Sequence, residues 1–192
     1  MKQRAYFLLL SVLVGASAQA EWVLDSEHSA ISFVSTKAIN VAEVHKFTEL
    51  SGGVDEDGQV TLSISLASVD SGIVLRDERM REMLFETDKF SLATVSAKVD
   101  TARLDKLEPG ESMRTAIEGS ISLHGETRTI PIDLLITRAG DHQLLVASEK
   151  PVVVNAPQFR LSEGVERLRE VAGLPSISTA VPVTFILTFS RD

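Results

Sequence analysis

The sequence of 192 residues contains no cysteine. No disulfide can form, and thiol redox chemistry and thiolate metal sites are excluded. The stability of the fold must therefore come from packing. Positive charge is also scarce, because 19 Lys and Arg residues face 27 Asp and Glu residues and leave a formal net charge of −8. This balance argues against nucleic acid or an anionic membrane surface as a partner.

Catalytic motifs are missing as well. There is no G-x-S-x-G nucleophile elbow, no glycine-rich phosphate loop and no H-E-x-x-H pair of metal ligands. A carboxylate–histidine metal site is an alternative, because His28 follows Asp25 closely and His45 follows Glu43, but structural or surface roles for these histidines are favoured. We therefore expect no catalytic residue, no metal site and no cofactor, and we expect that the protein is not an enzyme.

One long apolar run occurs, and it lies at the N-terminus. A basic head at residues 1–4 precedes an almost entirely apolar run at residues 5–16, and Ala18-Gln19-Ala20 supplies the small residues that signal peptidase requires. The run is shorter than the ~20 residues of a spanning helix. We predict a signal peptide over residues 1–20, cleaved before Glu21, rather than an uncleaved anchor.

The remaining residues, 21–192, are expected to form one domain in the periplasm. Their number suits a single core, and no repeat, low-complexity tract or linker divides them. Removal of two leader cations would change the net charge from −8 to −10. No integral membrane anchor is expected after cleavage, and a homodimer is left open.

Alternation of apolar and polar residues dominates residues 21–192. In residues 60–66, four apolar side chains alternate with small hydroxylic ones, which is typical of a strand with one buried face. Similar and shorter runs bring the expected total to about eight or nine strands, within the range of small barrels. They are residues 22–24, 30–35, 41–50, 93–99, 117–123, 130–136, 143–148 and 181–189.

Two turn signals indicate an antiparallel order. Asp55-Glu56-Asp57-Gly58 and His124-Gly125-Glu126-Thr127 each lie between two alternating runs, as in β-hairpins. Neighbouring strands in the sequence should therefore pair with each other. A parallel sheet would need a helical crossover between strands, and the spacing leaves no room for one.

Two segments break the alternation and predict one-faced helices. The first covers residues 75–85. The second covers residues 163–172, with Ser162 as its cap and Gly173 as its stop. Each helix either plugs a barrel end or forms part of a lid over a ligand mouth. The apolar side of the first helix consists of Leu75, Met80, Met83 and Leu84.

Several segments resemble one known family. Residues 25–33 are similar to its D-x-x-H-S-x-x-x-F start. The chain resembles the YceI family of periplasmic polyisoprenoid-binding proteins over residue 22 to the C-terminus. After Asn155 it departs from the commonest family form, because helix-like residues 164–172 replace a short glycine turn. The other matching segments are residues 47–52, 67–72, 76–81, 85–90 and 117–127.

The resemblance implies a ligand as well as a fold. The expected fold class is all-β: an eight-stranded antiparallel lipocalin-like barrel with one or two short flanking helices. Its hydrophobic pore would take a long isoprenoid chain, such as a polyprenyl lipid or a quinone tail. Because the inner faces contain almost no ionisable residue, an apolar wall rather than a charge should carry the binding.

The predicted ligand-binding residues follow from the alternation and from the first helix. A shift of one residue in register would reverse a whole strand, and pore lining cannot be told from core packing in sequence. Arg76 or Arg79 would contact a headgroup at the rim, unless residues 76–82 are simply a solvated helix face. The predicted residues are Phe33, Phe47, Ile64, Leu66, Leu75, Arg79, Met80, Met83, Leu84, Ile121, Leu134 and Phe185.

Three functions remain open from the sequence. The favoured one is a carrier or reservoir for a long apolar lipid. The second is an enzyme that acts on a lipid or quinone, and the third is a structural or stress-response barrel whose core is filled. The first and the third functions differ in whether the barrel contains a cavity or a filled core.

Overall fold

The computed structural model describes residues 20–191. The predicted signal peptide, apart from Ala20, lies outside the described residues. The strands are β1 (Ala20–Lys37), β2 (Val41–Phe47), β3 (Leu50–Asp55), β4 (Gln59–Ser65), β5 (Val69–Asp70), β6 (Leu92–Lys98), β7 (Ser112–Leu123), β8 (Glu126–Gly140), β9 (Gln143–Ser148), β10 (Val152–Asn155) and β11 (Ala180–Ser190). The α-helices are α1 (Val74–Arg79), α2 (Thr101–Asp105) and α3 (Ser162–Val171). A π-helical turn (Met80–Phe85) continues α1, and short 3-10 turns cover Leu66–Ser68 and Ala156–Phe159.

Eight strands close into an antiparallel barrel, in the order β1, β3, β4, β6, β7, β8, β9 and β11. Pairing of β11 with β1 closes the ring, for example at Phe33 opposite Val183. Each barrel strand pairs with its neighbours in the sequence, apart from the small extra strands. The all-β barrel predicted from the sequence is confirmed.

The three extra strands extend the barrel wall on one side. β2 pairs with the second half of β1, β5 pairs with β2, and β10 pairs with the first half of β11. Ser68 fixes the junction between β2 and β3, because its Oγ accepts hydrogen bonds from the backbone N–H of Thr48 and of Glu49, both at 3.1 Å, and donates to the Ser65 carbonyl at 2.7 Å. We call β2, β5, β10 and the paired parts of β1 and β11 the extension.

Both predicted hairpins are confirmed. β3 and β4 pair across the turn at residues 55–58, and Leu123 pairs with Glu126 across His124 and Gly125. These two turn residues have φ of 50° and 78°. Such left-handed values suit the tight turns that match the twist of paired strands.

The helices differ in part from the sequence prediction. The first begins at Val74 and its second half is a π-helix. The predicted cap of α3 was wrong: Leu161 precedes the helix, Ser162 is its first residue, and no side chain caps it. Leu161 is buried in an apolar cluster with Phe159, so packing rather than a side-chain hydrogen bond positions this helix start. Helix α2 and strands β5 and β10 were not predicted; the predicted runs 22–24 and 30–35 form one strand, β1, and the predicted run 41–50 is divided between β2 and the start of β3.

The two barrel ends are closed in different ways. At the end with α2, which we call the α2 end, Leu104 is buried and Trp22 is fully buried with the guanidinium groups of Arg138 and Arg191 at 5.2 and 4.4 Å from its ring centroid. At the opposite end, the α3 end, α3 packs against the π-helical turn. A Cβ atom on Gly164 would lie 2.7 Å from the Met83 carbonyl oxygen, so this close helix contact requires glycine.

Candidate functional site

A cavity of about 250 Å³ runs inside the barrel. Every residue that lines it is Ala, Val, Leu, Ile or Phe. Engineered apolar cavities of ~150 Å³ stay dry and bind small apolar molecules. A larger cavity without a polar lining residue is therefore suited to a hydrocarbon and offers water no hydrogen-bond partner.

Strand alternation builds this wall. On β4 the inner face presents Val60, Leu62 and Ile64, and β6, β8 and β11 repeat the pattern. The lining residues of β11 run from Val181 to Phe189, which corresponds to ~27 Å along a strand. The cavity is thus long in comparison with its volume, and an extended chain fits it better than a compact molecule.

Eight of the predicted residues are brought together around the cavity. Their grouping shows that the predicted inner faces of β1, β4, β7, β8 and β11 have the correct register. Whether these side chains contact a ligand stays a prediction. The eight are Phe33, Phe47, Ile64, Leu66, Leu84, Ile121, Leu134 and Phe185.

Four predicted residues do not line the cavity: Leu75, Arg79, Met80 and Met83. Leu75 is 55% exposed in the first turn of α1, whereas Met80 is buried in the surrounding core. Leu75 and Arg79 belong to the α-helical α1, whereas Met80 and Met83 belong to the π-helical turn. The prediction assumed an α-helical period through residue 85, but the π-helical turn has i→i+5 hydrogen bonds and presents Leu84, as predicted, together with Phe85 rather than Met83 to the cavity.

A polar cluster adjoins the cavity at the α3 end. Glu43 Oε2 lies 2.8 Å from Lys37 Nζ and 2.8 Å from Arg76 Nη1. The hydrogen bond from Lys37, and then that from Arg76, lower the pKa of the Glu43 carboxyl. Asp77 is buried and accepts hydrogen bonds from the backbone N–H and the hydroxyl of Ser71.

His45 lies between this cluster and the apolar wall. It is only 3% exposed, and its ring meets the edge of Phe33 at a centroid distance of 5.3 Å. Burial, and then the charge of Arg76, lower its pKa. Its Nδ1 is buried without a hydrogen-bond partner among residues 20–191. From the sequence, a structural or surface role was expected for His45, with metal ligation as the alternative; its spacing of two from Phe47 places both residues on one face of β2.

The buried His45 should make the protein less stable as the pH falls. Because its pKa is lower in the folded state, the unfolded state binds more protons once the pH falls below ~6.5. We expect the free energy of unfolding to decrease between about pH 7 and pH 5.5, with a slope from this group of at most ~1.4 kcal/mol per pH unit. Urea unfolding followed by circular dichroism measures it.

The matched variant is His45→Gln, which should flatten this slope. The lowered pKa of Glu43 affects stability only as the pH falls below its usual range, near 4.5, so the chosen window separates the two groups. An identical slope in the variant and the wild type would contradict the assignment to His45.

Within residues 20–191, no three His, Asp or Glu side chains come together as metal ligands. Over the same residues, no helix combines the length and the apolar character needed to cross a membrane. The cavity and its polar end are therefore the candidate functional site.

Comparison with solved structures gives relatives over most of the chain. A polyisoprenoid-binding domain from Saccharophagus degradans, implicated in plant cell wall breakdown, is 38% identical with a TM-score of 0.89, and the match covers 91% of this chain and 100% of that one. Burkholderia cenocepacia BcnA is 17% identical with a TM-score of 0.66, over 86% and 98% of the two chains.

A third structure, the YceI protein of Campylobacter jejuni, is 14% identical with a TM-score of 0.56, over 77% of this chain and 84% of that one. The last two similarities concern the fold alone. No curated protein matches the chain. The YceI-like domain matches residues 22–189, which include every barrel strand almost completely, and the chain therefore belongs to the YceI-like family.

Proposed function

We propose that this protein is a periplasmic carrier or reservoir that holds a long apolar lipid, such as a polyprenyl lipid or the tail of a quinone, inside the barrel. The observation that carries the proposal is the elongated cavity whose lining is entirely aliphatic and Phe. The relative from Saccharophagus degradans, a polyisoprenoid-binding domain, supports a ligand of this class.

The tail alone can supply enough affinity. At ~0.3 kcal/mol per heavy atom, the roughly 25 carbons of an extended isoprenoid chain that fit along ~27 Å contribute about −7.5 kcal/mol, or low-micromolar binding. A strong ionic anchor is therefore unnecessary. The cavity also favours this function over a filled structural core, because natural cores are packed with few voids larger than a water molecule.

An enzyme acting on a lipid is less well supported. Along the described chain the cavity wall contains no hydroxyl, carboxyl or imidazole group, and a reaction would need a nucleophile or an acid–base pair within reach of the substrate. His45 contacts the cavity-lining Phe33, but its buried Nδ1 has no hydrogen-bond partner among the described residues, so no carboxylate orients it as a base.

The test is mass spectrometry of an organic extract of protein purified from periplasm without detergent. We expect a stoichiometric lipid with a long unsaturated or branched chain. The intact mass of the protein should correspond to a chain whose first residue is Glu21. An empty extract, together with failure to take up an added polyprenol, would contradict the carrier function. Conversion of the added lipid would show an enzyme instead.

A further inference from the structure

Half of the large apolar side chains that are exposed within residues 20–191 belong to two short segments, residues 39–44 and 73–75. The first segment is the turn after β1 with the start of β2, and the second leads into α1. Ile39 and Val74 are the most exposed of these side chains, at 86% and 73%. Single exposed aliphatic residues are normal on protein surfaces, whereas a contiguous group of them marks an interaction surface.

An ion pair brings the two segments together at the α3 end. Arg76 Nη1 lies 2.8 Å from Glu43 Oε2. Val41 precedes Glu43 by two positions and therefore lies on the same face of β2, while Leu75 adjoins Arg76 in α1. The apolar residues around this ion pair form one group, which we call the tip patch. Its members are Ile39, Val41, Ile73, Val74 and Leu75.

The turn that carries Ile39 is strained. Ala38 and Ile39 have φ of 47° and 74°, in the left-handed region that suits glycine and asparagine and that a β-branched residue rarely adopts. The turn is held in place because Ala38 donates its backbone N–H to the Ser176 carbonyl, 3.0 Å away in the segment after α3. Neither the backbone nor the solvent favours isoleucine at this position. Strain of this kind is concentrated at functional sites, so a contact outside the chain explains Ile39 best.

The charge of the tip patch indicates the kind of surface that it fits. Residues 37–46 and 70–79, which contain the patch, carry four cations and four carboxylates, whereas residues 21–192 as a whole have a net charge of −10. Lys46 and Asp70 pair at 3.4 Å, in addition to the pairs of Glu43. A neutral apolar surface on an acidic protein is complementary to a zwitterionic surface. An anionic membrane would repel the rest of the protein.

The size and shape of the tip patch favour a bilayer over a second protein chain. A standard protein interface takes about 20 to 30 residues from each partner, and the tip patch has five, with Ile39 at the end of a hairpin. A lipid surface needs no matching shape, and its affinity grows with the apolar area that enters the interface.

We propose that the tip patch docks this protein onto a zwitterionic lipid surface, with Ile39 inserted among the lipid chains. The tip patch and the cavity-lining Phe47 lie on the same strand, β2, so docking would turn the α3 end of the barrel towards the lipid. The proposal goes beyond the carrier function, and it is tested without any ligand in the cavity.

The experiment measures flotation of the full mature chain with vesicles of phosphatidylcholine. We expect the wild type to float with the vesicles and Ile39→Asn to lower the partition coefficient about tenfold, because burial of a large aliphatic side chain stabilises the bound state by about this factor. Asparagine enters the left-handed region more easily, so the melting temperature of Ile39→Asn should equal or exceed that of the wild type. Weaker binding at undiminished stability excludes a merely structural role for Ile39.

A matched pair of variants tests the rest of the patch. Val74→Thr should lower the partition coefficient about threefold. Val23 is also exposed and aliphatic, but it lies next to Trp22 at the α2 end. Val23→Thr, with the same change of side chain, should therefore float as the wild type does.

A fluorescent label reports the orientation of the docked protein. Because the chain has no cysteine, Asn40→Cys and Glu56→Cys can each carry a single thiol-linked dye. The first label adjoins Ile39, and the second lies in the β3–β4 turn, whose Gly58 packs close to Thr101 of α2. On phosphatidylcholine vesicles that contain brominated acyl chains, only the label at residue 40 should be quenched.

Absence of flotation of the wild type, equal flotation of Ile39→Asn, or quenching at residue 56 but not at residue 40 would overturn the docking. Flotation only after addition of phosphatidylglycerol would overturn the assignment to a zwitterionic surface. A dimer in sedimentation velocity that Ile39→Asn abolishes would show that a second copy covers the tip patch instead. The carrier function is tested separately by the lipid extract, so its failure and the failure of docking are distinguishable.

Discussion

Ile121→Asp is expected to abolish binding of a long apolar lipid, with a loss of affinity of at least about a hundredfold. Ile121 is 9% exposed, lines the cavity and pairs with Val95 of β6. A carboxylate at this place would find no cation or donor in the wall, and a buried charge without a partner costs several kcal/mol. Titration with a polyprenol, on protein shown to be folded, measures the loss.

Two comparisons make this result specific. Ser120→Asp places the same charge one residue earlier, on the opposite face of β7, and should bind nearly as the wild type does. Arg79→Ala should cost less than about 1.4 kcal/mol, or tenfold, because a contact at the solvent-exposed rim is weak. If Arg79→Ala proved more harmful than Ile121→Asp, recognition by a charged headgroup would dominate, and the apolar-wall assignment would be wrong.

A second variant covers the case in which Ile121→Asp does not fold. Val95→Thr introduces a hydroxyl into the same part of the wall. Unlike Ile121→Asp, it adds no charge and hardly changes the shape of the side chain. It should weaken lipid binding measurably while preserving the circular dichroism spectrum. Unchanged affinity of this folded variant would count against an apolar binding wall.

Ala97→Phe is expected to shorten the cavity from the α2 end. Ala97 lines the cavity and pairs with Val60, and α2 lies beyond it in the chain. A phenyl ring there would displace the last part of a long tail. Loss of one five-carbon unit costs ~1.5 kcal/mol at ~0.3 kcal/mol per heavy atom, or about tenfold, and larger losses follow if more of the tail is excluded. Short isoprenoid alcohols should bind with unchanged affinity.

The thermal stability of Ala97→Phe separates a ligand cavity from a filled core. Overpacking a filled core typically costs 1–3 kcal/mol, whereas a ring that enters an existing cavity gains apolar contacts. We therefore expect a melting temperature equal to or above that of the wild type. Ser96→Phe, on the exposed outer face of β6, is the matched control and should leave chain-length preference unchanged. A destabilised Ala97→Phe with normal binding of long chains would contradict the cavity.

Alternation was sufficient to predict which residues line the barrel wall, because the facing of side chains along a strand does not depend on which strands it pairs with. On β4 and β8, each second residue faces inward whatever its partners are, so Ile64 and Leu134 were placed correctly. Turn chemistry added the pairing order, since His124-Gly125 adopts the left-handed conformation that a tight hairpin needs.

The remaining features depend on tertiary contacts that leave little trace in the sequence. The π-helical turn widens the helix only where it packs on α3, and it moves Met83 away from the wall and Phe85 onto it. His45 was considered only as a metal ligand or as a structural or surface residue. Its burial against Phe33 follows from the pairing of β1 with β2, which places the two residues opposite each other, and alternation within one strand does not reveal that partner.

The pairing of β1 with β11 has a consequence for how the chain folds. Thr188 donates its hydroxyl hydrogen to the carbonyl of His28 at 2.8 Å and its backbone N–H to Ser29, so the two ends of the domain form the final seam. Contacts so distant in sequence slow folding, because the entropy of closing a long loop is lost before the contacts form. A chain synthesised from its N-terminus completes β11 last and has two unpaired strand edges until then. Such edges promote aggregation, so a chain without β11 exposes the edges of β1 and β9 to pairing with other chains.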